Sequence, residues 1–83
     1  MNLNTVRVYS TPSCVQCMLT KKWFNDRDIS FDEVDLSESE DDYRAVLALG
    51  YKAAPIVMVA PDVHWGGFRV DLLELHFGEK KAA

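Results

Sequence analysis

The chain contains two cysteines, Cys14 and Cys17, set as Cys14-Val15-Gln16-Cys17 between a run of strand character and a run of helix character. That spacing at the start of a helix brings both sulfurs to one face, close enough to bond each other after one has reacted with a partner. A bridge closing so short a loop removes little chain entropy, so the pair is a poor structural staple. Its natural use is reversible dithiol exchange, with the thiols held reduced between turnovers in a reducing compartment.

The flanking pattern predicts where this pair sits. Thr5-Val6-Arg7-Val8-Tyr9 alternates β-branched and aromatic residues, and Ser10-Thr11-Pro12-Ser13 ends it with turn chemistry, which makes a first strand. From Val15 to about Arg27 there is no Gly or Pro, and Cys17, Thr20 and Phe24 form a stripe with Leu19 and Trp23 beside it. This predicts a first helix with Cys14 at its N-terminus. A weaker alternation over residues 29–36, with Phe31 and Glu33 on one parity, predicts a second strand. Ser37-Glu38-Ser39-Glu40 fits a capping box for a helix running through Leu49 and stopped by Gly50.

The apolar run at residues 56–60 reads as a third strand, with Pro61-Asp62 turning it into a hairpin partner, Val63-His64-Trp65. Gly66-Gly67 breaks that strand, and Phe68 to about Phe77 predicts a last helix ended by Gly78. The order β-α-β-α-β-β-α is an α/β arrangement, a βαβ unit followed by a hairpin and a helix, and packs as a four-stranded mixed sheet flanked by helices. A Cys-x-x-Cys leading the first helix of that order resembles the thioredoxin-like fold, of which the glutaredoxin type is the small form expected here. Residues 1–78 are expected as one redox domain and residues 79–83 as a short flexible tail.

Charge narrows the partners. A net charge of −4 with scattered basic residues argues against nucleic acid or an anionic membrane. Glu33, Asp35, Glu38, Glu40, Asp41 and Asp42 cluster, which mainly favours a helix N-terminus and solubility. No apolar run approaches the roughly 20 residues of a spanning helix, and no basic start precedes an apolar stretch, so a cytoplasmic location is expected.

A thiolate, not a thiol, attacks a disulfide. Cys14 stands where a helix presents unpaired N–H groups and the positive end of its dipole, which assigns it as the nucleophile; Cys17, one turn inside, is the resolving thiol. Lys21 and Lys22 fall one turn beyond Cys17, where either would add to the field on the thiolate if turned toward it, but long lysines on a helix more often run out into solvent, which is the expectation here. A zinc site completed by His64 and His76 is not expected, because one lies on a strand and the other on the last helix.

Cys14-Val15-Gln16-Cys17, Ala53-Ala54-Pro55 and Trp65-Gly66-Gly67-Phe68-Arg69-Val70-Asp71 together resemble the NrdH-redoxins, over essentially the whole chain. These are small proteins, glutaredoxin-like in sequence and fold and thioredoxin-like in activity. The resemblance implies an electron donor to the large subunit of class Ib ribonucleotide reductase. It further implies a monomer with no bound cofactor, re-reduced by NADPH through thioredoxin reductase. It also implies a cis Pro55, a partner-binding surface at Ala54, Pro55, Trp65, Gly66, Gly67 and Phe68, and support from Pro12, Arg69 and Asp71. The family motif usually reads Trp-Ser-Gly-Phe-Arg-Pro-Asp, so this chain departs at Gly66 and Val70. A Gly-Gly pair followed by acidic residues resembles the glutathione-carboxylate site of true glutaredoxins, and a glutathione-dependent glutaredoxin is the alternative. A module holding zinc or an iron–sulfur cluster is the alternative from another class.

Overall fold

Alternation along a central strand decides the architecture. In the computed structural model, which describes residues 6–78, that strand is β1, Val6–Ser10. The expected tail at 79–83 and Thr5 of the expected first strand lie outside the described residues. After β1 come α1 (Val15–Asp26), β2 (Phe31–Asp35), α2 (Glu40–Ala48), β3 (Ile56–Ala60), β4 (Val63–Gly66) and α3 (Val70–Phe77), the order expected from the sequence.

The sheet runs β2-β1-β3-β4, with β1 parallel to β2 and antiparallel to β3, and β4 antiparallel to β3. Successive side chains of a strand point to opposite faces, so β1 supplies two cores. Val6 and Val8 join Trp23 and Phe24 of α1, Leu73 and Phe77 of α3, and Val57 and Trp65 on one face. Tyr9 joins Leu36, Ile56 and Val46 of α2 on the other. Phe24 is fully buried and meets Trp23 and Phe77 edge-on, with ring centroids 5.5 and 5.2 Å away. Burying such a ring contributes about 2–3 kcal/mol.

Three expectations change in detail. Leu19 is exposed, because two positions past Cys17 lies round the far side of the helix from the buried stripe. The cap of α2 is Ser39, whose Oγ accepts from the Asp42 amide at 3.3 Å, rather than a box closed by Ser37 and Glu40. Ser37 instead donates to Asp35 Oδ1 at 2.6 Å, closing the turn after β2, and Glu40 pairs with Arg44. Finally, α3 starts at Val70 rather than Phe68, since Gly67 is left-handed with φ 89° and Arg69 is extended.

Candidate active site

The loop from β1 to α1 turns sharply at Ser13, whose φ of 60° is uncommon for a residue with a side chain. The turn delivers Cys14 in an extended conformation to the N-cap of α1. There its Sγ accepts from the Cys17 amide at 3.1 Å, standing where a Ser or Asp oxygen usually caps a helix. The first turn of α1 carries no acidic residue, so nothing opposes the attraction of its free amides and dipole for a sulfur anion. Cys14 and Cys17 are joined as a disulfide, with Cα atoms 5.2 Å apart. Their exposure differs: Cys14 is half-buried, whereas Cys17 is 1% exposed.

The turn at Gly67 and Phe68 meets Gln16 of the Cys14–Cys17 turn and is itself tied to two further segments distant in sequence. The Ala54–Pro55 peptide is cis, Pro55 is fully buried, and its carbonyl accepts from the Gly67 amide at 2.8 Å. Gln16, between the cysteines, accepts at Oε1 from the Phe68 amide at 3.2 Å. Gly66 lies under the ring of Tyr51, where an added Cβ would come within 3.1 and 3.3 Å of two ring carbons. Tyr51 in turn shares a 2.6 Å hydrogen bond with His64.

Each residue expected at the site has a definite place. Pro12 is exposed, in the loop beside the cysteines. Ala54 packs against the second core, and Gly66, Gly67 and Phe68 are half-buried on the turn tied to Pro55 and Gln16. Trp65 is a correction: it is 6% exposed and belongs to the main core, with its indole stacked on His76 at 5.3 Å, so its ring offers little surface to a partner. The alternation of β4 accounts for this, since Trp65 pairs with the fully buried Val57. Arg69 and Asp71 form an exposed bidentate ion pair at 3.1 and 2.8 Å, and the guanidinium holds the Asp71 carboxyl below its usual range. Among the described residues no group of three or more His, Cys, Asp or Glu is placed to hold a metal ion.

Lys21 is also a correction. It bends inward and bonds Glu33 Oε2 at 2.6 Å, an oxygen that also accepts from the buried Ser10 hydroxyl at 3.0 Å. Lys22 does reach solvent, pairing with Asp26. The parity that Glu33 shares with Phe31 was the available signal, since Phe31 packs against the α1 side of the sheet. Gln16 and Tyr51 left no comparable trace, because their partners are separated from them by long stretches of chain. Val15, Met18 and Leu19 of α1 are exposed apolar residues, of which Val15 follows Cys14 in the chain and Met18 lines the same cavity as Cys14.

Residues 6–65 match the glutaredoxin family model. The chain is 38% identical over 64 residues to the glutaredoxin-like protein NrdH of Lactococcus lactis strain IL1403, covering 77% of this chain and 88% of that protein. It is 31% identical over 68 residues to NrdH of Escherichia coli K12, covering 82% and 83% respectively. The solved structure of NrdH-redoxin from E. coli, described as glutaredoxin-like with a thioredoxin-like activity profile, superposes with a TM-score of 0.80 at 30% identity, over 86% of this chain and 92% of that one. A glutaredoxin from Archaeoglobus fulgidus shares the fold, with a TM-score of 0.71 at 18% identity over 89% of this chain and 86% of that one. The thioredoxin-like fold expected from the sequence is the observed one. Among the described residues no helix is long and apolar enough to cross a membrane.

Proposed function

The chain belongs to the glutaredoxin family and, within it, to the glutaredoxin-like NrdH proteins, and on that premise we propose that it is a cytoplasmic dithiol electron donor to ribonucleotide reductase. As a member of that group it is a thiol–disulfide oxidoreductase with a cysteine pair. The observation that carries the proposal is the asymmetry of the pair, with Cys14 Sγ at the helix N-cap and Cys17 buried one turn inside.

In this reading the reduced Cys14 thiolate attacks a partner disulfide, the partner's S–S bond breaks, and a mixed disulfide forms. Cys17 then loses its proton and attacks Cys14 Sγ, expelling the second partner sulfur as a thiolate that takes up a proton. The protein ends as the Cys14–Cys17 disulfide, and two electrons have passed to the partner. Thioredoxin reductase returns them from NADPH, and the large subunit of class Ib ribonucleotide reductase receives them. No cofactor is bound and the protein acts as a monomer. The exposed Val15 and Met18 give a partner apolar surface beside the attacking sulfur.

The Gly66-Gly67 pair keeps glutathione as the second reading. Against it, two backbone amides of this turn are already engaged within the protein, Gly67 N–H by Pro55 and Phe68 N–H by Gln16. The deciding assay is NADPH-driven reduction of a protein disulfide, run with thioredoxin reductase and separately with glutathione and glutathione reductase. Turnover with thioredoxin reductase alone is expected; turnover only with glutathione sinks the proposal.

A further inference from the structure

Beside the two sulfurs lies a cavity of about 220 Å³ whose polar walls the dithiol mechanism above does not use. It is bounded by both cysteines and Met18, by Thr11, Pro12 and Ser13 of the loop, and by the polar side chains of Ser10, Lys21, Glu33 and Asp35. A space of that size with polar walls accommodates several waters. Its charged groups are Lys21 from α1 and Glu33 and Asp35 from β2, while β1 and the loop contribute only neutral side chains.

The resolving step sets a problem at this place. Cys17 is 1% exposed, and burial pushes a thiol pKa up, away from the thiolate that must attack Cys14. The helix N-terminus serves Cys14 directly, through the amide bonded to its Sγ, and falls off along the first turn. Lys21 lies four residues beyond Cys17, on the same face of α1, and lines the same cavity. Its side chain is 26% exposed, and its ammonium is held at the cavity by Glu33, itself 44% exposed, which Ser10 holds in turn.

Resting on the reading that Cys17 resolves the mixed disulfide, we propose that Lys21 is the positioning cation for that step. Glu33 anchors it and moderates its field, and the cavity carries the Cys17 proton out to solvent. Lys21 forms no bond to the reacting sulfurs; its positive charge makes the Cys17 thiolate available at neutral pH. The proton leaves Cys17 for water in the cavity, the Cys17 electron pair forms the bond to Cys14, and the partner's sulfur departs with the pair from the broken bond.

The test is single-turnover reaction of the prereduced protein with a chromogenic aromatic disulfide, which releases one aromatic thiolate as Cys14 attacks and a second as Cys17 resolves. Lys21→Gln should move the pH midpoint of the second phase up by about 1 unit. At pH 7 it should slow that phase about threefold, because a tenfold loss of thiolate is partly offset by greater intrinsic nucleophilicity. Glu33→Gln should move the midpoint down, and Lys21→Arg should keep it near the wild-type value. Thermal midpoints of the same variants separate stability from ionisation. An unchanged second-phase midpoint in Lys21→Gln, or shifts of the same sign in Lys21→Gln and Glu33→Gln, overturns the proposal. A second phase that persists in Cys17→Ser overturns the resolving role of Cys17 instead, so the two failures are told apart.

Discussion

Cys14 differs from Cys17 by position alone, and the difference is measurable. Cys17→Ser should leave the first attack intact and stop at the mixed disulfide, while Cys14→Ser should abolish turnover; mass spectrometry of the reaction with a disulfide substrate distinguishes them. Glu33 shows how a local bond becomes a pH dependence. Hydrogen bonding from Lys21 lowers its carboxyl below the ordinary value of 4.5, and Ser10 adds to this. Such a group contributes stability that is present above the unfolded pKa and is lost as the pH falls through the lower folded pKa. Urea midpoints should therefore fall on acidification below about pH 4.5, and Glu33→Gln should remove part of that slope. Gly66 is a steric counterpart. Gly66→Ala presses a methyl group against the Tyr51 ring and should cost about 1 kcal/mol, and less in a Tyr51→Leu background, as a double-mutant cycle of unfolding free energies would show.

At the scale of elements, the ends of the helices matter more than their lengths. The sequence places α1, α2 and α3 correctly because their apolar positions recur at helical spacing between turn-forming residues. It misleads at the caps. Ser37 and Ser39 are equally plausible from composition, and only the turn closed by Ser37 on Asp35 leaves Ser39 free to cap α2. Ser39→Ala should therefore destabilise the protein by about 1 kcal/mol in chemical denaturation, whereas Glu40→Ala, which loses an exposed ion pair and one of three first-turn acids, should cost about 0.5 kcal/mol. The late start of α3 follows from the left-handed Gly67, which the pattern of Leu72, Leu73, Leu75 and Phe77 does not register.

For the whole molecule, two small cores back to back on one sheet leave little redundancy. Leu73, fully buried between α3 and the sheet, joins Phe24, Phe77 and Trp65 in the larger core. Leu73→Ala should cost about 3 kcal/mol, a large share of the stability of a domain this size, and should appear as a lowered thermal midpoint. The element order, the sheet and the place of the cysteine pair were legible in the chain because they depend on local periodicity and on residue type at helix ends. The Gln16–Phe68 bond, the seat of Gly66 under Tyr51, the burial of Trp65 and the inward turn of Lys21 onto Glu33 were not. Those contacts join residues far apart in sequence, and a side chain's direction there is chosen by the sheet register and helix packing that bring a partner within reach. Local pattern therefore sets which elements form and which thiol leads, and tertiary packing alone decides which polar groups surround that thiol.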